Sequence, residues 1–344
     1  MTLSEEYGGC LYVADISRQL LNIIEYDYLH ADETWGDLTD KKLGTLVRYL
    51  KNIGTYETDD EARKMLGLAW IAADWYKYKK IYRLHPTFVD YLQDTDSGVI
   101  STTLYKRLPY KSFYISFPDR PIKETFDELK DRNDVLKGIF IRVFIIDDST
   151  ISLGVCAIKA DENETRPSEF APLDHITIIT DGQRLEDVWD YKQLSQEELK
   201  GFNIDELDKA IAYWTPIYRI ALNACQYLCA SNAEIKDIKV KKKDRPLIKG
   251  TNKGPKSVNV QMSEVGFRIG ERFEAMYSVS DPQTRRESRK GGWKVRPHVR
   301  RAHWHHYWTG KGRTDICVKW LEPVFVMGNE DLDVVIHEVK GETA

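Results

Sequence analysis

The sequence predicts an α+β protein: a helical N-terminal part, a mostly antiparallel sheet, a buried helix, and a basic C-terminal β region. Three observations carry that prediction. Apolar residues recur at helical spacing through the early part of the chain. Beyond residue 97 the period shortens to β-branched and aromatic runs bounded by turn residues. Beyond residue 235 the chain turns basic and rich in His and Trp. These shifts divide it into residues 1–97, 98–235 and 236–344.

In the first region Val13, Ile16, Leu20, Ile23 and Ile24 share one helical face. Leu43, Leu46, Val47, Leu50 and Ile53 form a second, with Gly54 as its stop. Thr58 and Glu61 form a capping box for a third helix, predicted to run to Tyr82, before His85-Pro86. In the second region Phe113–Phe117, Ile139–Ile146, Ile151–Ile158 and Ile176–Ile179 read as strands. Asp147-Asp148-Ser149 makes a hairpin turn between the second and third, and Ile122–Leu136 reads as a helix. Asn203 and Glu206 start another helix, and Pro216 is expected to kink or restart it. Its apolar residues lie nearly all round, so it is expected to be buried. Lys236–Lys256 is a basic connector, and strands are expected at Val265–Ile269, Trp293–Trp308, Cys317–Val326 and Val334–Val339.

Composition excludes several classes. Nineteen Tyr, 9 Trp and 11 Phe are too many for a disordered chain. The longest apolar run, Met65–Ala73, is too short to span a bilayer, so no membrane partner is expected. The start, Met-Thr-Leu-Ser-Glu-Glu, predicts no leader. Five scattered cysteines predict a reduced, cytoplasmic setting rather than a disulfide framework. The net charge of −4 hides an asymmetry. Residues 236–313 hold 21 Lys and Arg against 7 Asp and Glu, a net +14, so the rest of the chain carries −18. A polyanion partner, or docking on the chain's own acidic surface, accounts for that segregation.

The densest feature is Trp293–Arg313. Four of the eight histidines, His298, His303, His305 and His306, fall within nine residues of one another. On a strand, His303, His305 and Tyr307 share one face, while Arg300, Ala302, Trp304, His306 and Trp308 share the other. Three uses fit this pattern. His298, His303 and His305 with Cys317 could ligate metal, although no Asp or Glu lies between Trp293 and Arg313. Arg and Lys could contact phosphates while rings stack on RNA bases. The tryptophans could equally be core. Lys241, Lys242, Lys243, Arg296, Lys311 and Arg313 are the candidate nucleic-acid contacts.

Other motifs are weaker. Gly250–Ser257 is one residue short of a P-loop, and Pro255 removes an amide that the loop must donate. Asp333, Glu338 and Lys340 fit a nuclease core less simply than a hairpin through Gly328-Asn329. Cys225 and Cys229 lack a second ligand pair and read as core thiols.

Phe267-Arg268-Ile269-Gly270-Glu271-Arg272, Arg296–His305, Tyr307–Gly312, Val318-Lys319-Trp320 and Pro323–Val326 together resemble a phage anti-CRISPR family, the second one directed against the type V-A effector nuclease. The likeness is strongest over residues 262–326, with looser echoes at Leu108-Pro109, Phe113-Tyr114-Ile115 and the apolar helix ending near Cys229. It departs at Ala302, where family members carry Gly, and fades in the first hundred residues. The resemblance implies an inhibitor encoded by a phage or other mobile element and acting in the bacterial cytoplasm. Such a protein recognises the nascent polypeptide of a CRISPR effector and causes loss of its mRNA. It implies a binding protein rather than a self-sufficient enzyme; the basic, aromatic strand region is compatible with RNA or the ribosome as a second partner, and no metal or cofactor is expected. It also draws attention to the block His298, Arg300, Arg301, His303, Trp304, His305, Tyr307 and Trp308. Two alternatives stand beside it: a metal-dependent nuclease using the His298–His306 block, and a generic RNA-binding module.

Overall fold

A five-residue strand, β1 (Lys80–Leu84), holds a place near the middle of the main sheet, where the sequence predicts the end of a helix. The computed structural model describes residues 71–121 except 73, 134–161, 171–190, 203–245, 247–248, 256–279 and 298–326 except 314, with Cys10, Val13, Ala14 and Arg48 as single positions. Apart from those four positions, which are helical, the other early helices lie outside these residues, as do the expected helix over 122–133 and the strand at Val334–Val339.

The third predicted helix stops at residue 78. Lys79 takes a positive φ of 51°, and the chain turns into β1. Local propensity loses here to pairing: β1 lies parallel to both β2 (Ser112–Pro121) and β9 (Gln261–Val265). The sheet has the order β5-β4-β3-β2-β1-β9-β6, and its other four junctions are antiparallel. It takes strands from all three regions of the sequence. The predicted hairpin is β3 (Asp134–Ile145) with β4 (Thr150–Asp161), Ile145 opposite Ile151. Asp147 makes its turn by accepting from the Ser149 N–H at 2.7 Å. Val135 and Leu136, expected to end a helix, are buried in β3. β5 (Ala171–Thr180) and β6 (Ile235–Ile238) are the outer strands.

Helices cover this sheet. Pro86 opens α1 (Pro86–Asp94) at the position where a missing N–H costs nothing. Short α2 (Thr102–Tyr105) and α3 (Leu185–Val188) follow. The buried helix is α4 (Ile204–Leu228), whose cap Asn203 accepts from the Asp205 N–H. It runs without a break through Pro216, and the Thr215 hydroxyl donates to Ile211 O at 2.6 Å. Its burial is confined to the stretch from Tyr213 onward, where Ile217, Tyr218 and Ile220–Tyr227 face the core.

After α4 come β6, a 3-10 turn (Lys242–Asp244), and the small pair β7 (Leu247–Ile248) and β8 (Lys256–Ser257). Gly266, with φ 70°, then ends β9. A Cβ there would lie 2.5 Å from the Phe88 ring, so the tight turn needs glycine. The chain enters α5 (Phe267–Val279) where the sequence predicts a strand through Ile269. The Glu234 carboxylate accepts from the Arg268 and Ile269 amides at 2.9 and 3.3 Å, which satisfies the helix start.

The remaining strands are β10 (His298–Arg300), β11 (His303–Thr309), β12 (Asp315–Leu321) and β13 (Val324–Val326). They pair as one long hairpin interrupted at Arg301-Ala302 opposite Glu322-Pro323. Pro323 has no N–H for a ladder, so the predicted unbroken strands divide here. Phe88 of α1, Tyr227 of α4 and Trp320 of β12 meet with ring centroids 4.6–5.9 Å apart, tying the hairpin to the helical layer.

Candidate functional site

The β11–β12 hairpin has two unlike faces. Cross-strand pairs share a face, so Trp304, His306 and Trp308 lie with Trp320, Val318 and Ile316. On that inner face Trp304 is 9% exposed and Trp320 1%, while Trp308 at the far end is 59% exposed. The opposite, outer face carries His303, His305 and Tyr307 beside Leu321, Lys319 and Cys317. His303, His305 and Lys319 are exposed there.

Four side chains or amides from the body hold the hairpin. The Trp304 indole N–H donates to Asn223 Oδ1 at 2.8 Å. Asn223 is fully buried in α4, and its Nδ2 donates to Leu92 O at 2.6 Å and Thr95 O at 2.9 Å. Asn232 takes both backbone groups of Trp320, accepting from its N–H at 3.1 Å and donating to its C=O at 2.8 Å. The Ser231 N–H donates to Val318 O at 2.9 Å, and the Arg107 guanidinium donates to Ile316 O. A polar Asn223 inside an apolar helix is a signal the sequence offers for this docking. Nothing in the sequence points to Arg107, Ser231 or Asn232.

The outer face has its own chemistry. His305 and Tyr307 rings lie 5.8 Å apart at 30°, and Lys319 Nζ sits 5.5 Å from the Tyr307 centroid. Cys317 Sγ is 3.1 Å from the Tyr307 hydroxyl, which in turn is 3.2 Å from Ser231 Oγ. Hydrogen bonding to Tyr307, then to Ser231, together with the Arg107 and Lys319 charges, draws the Cys317 thiol below its usual value. On the inner face, burial and then His305 push the His306 imidazole down, which favours its neutral form. Its Nε2 is buried with no hydrogen-bond partner among the described residues.

The other candidates scatter around this hairpin. Arg300 and Arg301 are exposed at the interruption, and Lys311 and Arg313 at the tip. His298 pairs through its backbone with Val326 in β10–β13. Lys241, Lys242 and Lys243 are exposed on the connector after β6, next to the larger sheet rather than in the hairpin. Arg296 lies outside the described residues. Among the described residues no three His, Cys, Asp or Glu side chains come together as a metal cluster, so the nuclease alternative gains no ligand set from them. Among these residues, too, no helix is long and apolar enough to cross a membrane.

Fold and site together define an α+β protein that displays a cationic, aromatic hairpin on a mixed sheet. The chain belongs to the AcrVA2-like family, the anti-CRISPR type V subtype A2 family, whose match covers residues 82–328. A solved structure described as the crystal structure of AcrVA2 is similar at 18% identity and a TM-score of 0.45, over 91% of this chain and 97% of that one. No curated protein matches the sequence.

Proposed function

We propose that this protein is a mobile-element anti-CRISPR that binds the nascent polypeptide of a CRISPR effector in the bacterial cytoplasm and promotes loss of the mRNA being translated. The observation that carries the reading is the family match over residues 82–328, which takes in the hairpin and nearly all of the main sheet. The charge pattern supports an RNA or ribosome contact. Arg300, Arg301, His303, His305, Lys311, Arg313 and Lys319 are exposed on or beside one hairpin. Cations there neutralise phosphates, while His305 and Tyr307 offer rings for unpaired bases. Lys241, Lys242 and Lys243, exposed on the connector beside the larger sheet, would give the RNA backbone a second contact. The reading needs neither a metal nor a cofactor.

The test is to purify the protein from cells that translate a type V-A effector and to sequence the RNA and nascent chains that come with it. Enrichment of that one message and of the effector's N-terminal polypeptide, with a fall in its transcript, is the expected result. Uniform recovery of all messages would instead identify a generic RNA-binding module. An unchanged transcript would remove mRNA loss from the reading.

A further inference from the structure

The two edges of the β11–β12 sheet are unlike. Bonds to the body use the C=O groups of Ile316, Val318 and Trp320 and the N–H of Trp320. In an antiparallel pair these outward residues stand opposite residues that also point outward. Their partners are Trp308, His306 and Trp304. The N–H and C=O groups of those three residues therefore form the free edge of the seven-residue strand β11. Among the described residues β11 pairs with β12 alone. One edge of the hairpin is thus closed by Arg107, Ser231 and Asn232, and the other is open among the described residues.

An open edge presents a template for another strand. Two further features narrow what fits. Exposed Arg300, Lys311 and Arg313 flank this strand along the chain, and no acidic residue lies between Trp293 and Arg313. Trp308, 59% exposed, stands on this edge as an apolar anchor. The other outer strands have different surroundings: β6 has four residues with Asp237 among them, and β5 carries the exposed Ile178 without flanking Arg or Lys in its described span. RNA has no backbone ladder to match, whereas an extended chain does.

We propose that the outer edge of β11 receives an extended acidic polypeptide segment as a third strand, held by the backbone groups of Trp304, His306 and Trp308. This rests on the polypeptide-binding half of the function proposed above and gives it a location. Side chains of the added strand would alternate between the Trp308 side and the His303–His305 side. The outer-face histidines remain free to contact RNA while the edge is occupied.

The experiment uses the full chain and a synthetic peptide of alternating Thr and Glu, about ten residues long to cover the strand. Two control peptides replace Glu with Lys or methylate alternate amides. Hydrogen exchange is followed at the Trp304, His306 and Trp308 amides. The Thr–Glu peptide should slow exchange at these three amides roughly tenfold, and both controls should bind roughly tenfold more weakly. Exchange unchanged at these amides, equal binding of all three peptides, or no binding at all would overturn the proposal. An RNA oligonucleotide protecting the same amides in place of the peptide would also overturn it. A second variant tests the edge directly. His306→Pro removes an outward N–H and leaves the β11–β12 ladder bonds in place. It should keep the melting temperature near that of the parent and lose peptide binding. If His306→Pro unfolds the hairpin, the amide-exchange result on the parent chain decides alone. Recovery of the effector's nascent chain without protection of the edge would refute this site and leave the broader function standing.

Discussion

Replacing Asn223 with Ala should undo the docking of the hairpin at a cost that can be worked from three bonds. Asn223 is fully buried. Its side chain donates to Leu92 O and Thr95 O and accepts from the Trp304 indole N–H. Ala strands all three partners in a dry interior. A buried polar group left without a partner costs about 1–3 kcal/mol, and neighbouring losses overlap, so the expected sum is about 3–5 kcal/mol. Trp304→Phe keeps most of the ring and strands only Asn223 Oδ1, for about 1–2 kcal/mol. The two changes share one bond, so they should not add. In the Asn223→Ala background Trp304→Phe should cost nearly nothing, a coupling of about 1–2 kcal/mol. Urea denaturation of the four proteins measures this, because a shifted midpoint at constant slope reports stability alone. Additive effects, or an Asn223→Ala loss below about 1 kcal/mol, would show that the hairpin is held by ring packing and not through this amide.

On the outer face, Arg301→Ala, His303→Ala and His305→Ala should leave the melting temperature unchanged, because all three residues are exposed. They should abolish loss of the target transcript while polypeptide binding persists, as judged by pull-down and transcript level in one strain. Joint loss of both would merge the two surfaces. Replacing exposed Lys241, Lys242 and Lys243 with Ala should lower the slope of log affinity for single-stranded RNA against log salt by roughly two, at about 0.7 for each phosphate that is no longer neutralised. An unchanged slope would leave these lysines as a solvated surface. Burial of His175 holds its imidazole down at about 4, against an unfolded value of about 6.5. Its Nδ1 lies 2.9 Å from the Tyr218 hydroxyl and 3.1 Å from Thr177 Oγ1, and Trp189 and Trp214 flank the ring. The unfolded chain takes up the proton first, so stability should be full above pH 6.5 or so and fall by about 3 kcal/mol as the pH drops toward 4. His175→Asn should flatten that window in urea titrations, and an equally steep fall would assign it to other groups.

Which parts of the fold are legible follows from how far each signal reaches along the chain. Asn203 caps α4 and Asp147 builds the β3–β4 turn through atoms two residues away, so the local sequence suffices. Periodicity misreads β1 because Lys80–Leu84 is flanked by a helical pattern, and its strand state comes from pairing with β2 and β9 on either side. Phe267-Arg268-Ile269 reads as strand for the same reason in reverse. Its helix depends on Gly266 clearing the Phe88 ring and on the Glu234 carboxylate reaching two amides across the loop. Periodicity contains neither fact.

The site divides along the same line. A period of two over Ala302–Trp308 is enough to separate buried Trp304 from exposed His303 and His305. It says nothing of which edge of the strand is open, because edge satisfaction is a property of partners. Arg107, Ser231 and Asn232 close β12 from two places in the chain, both far from it in sequence. Of the hairpin's supports, Asn223 alone leaves a trace, since burying an amide in an apolar helix costs stability unless something distant offsets it. Here the distant group is Trp304, a member of the very block that the sequence singles out. Side chains in that block therefore divide by face: Trp304, with Trp320 across the ladder, fixes the hairpin, and the exposed rings and cations beside them are what a partner would meet in the function proposed above. Mutating the block as a unit would confuse the two, and only substitutions chosen by face can separate anchoring from contact.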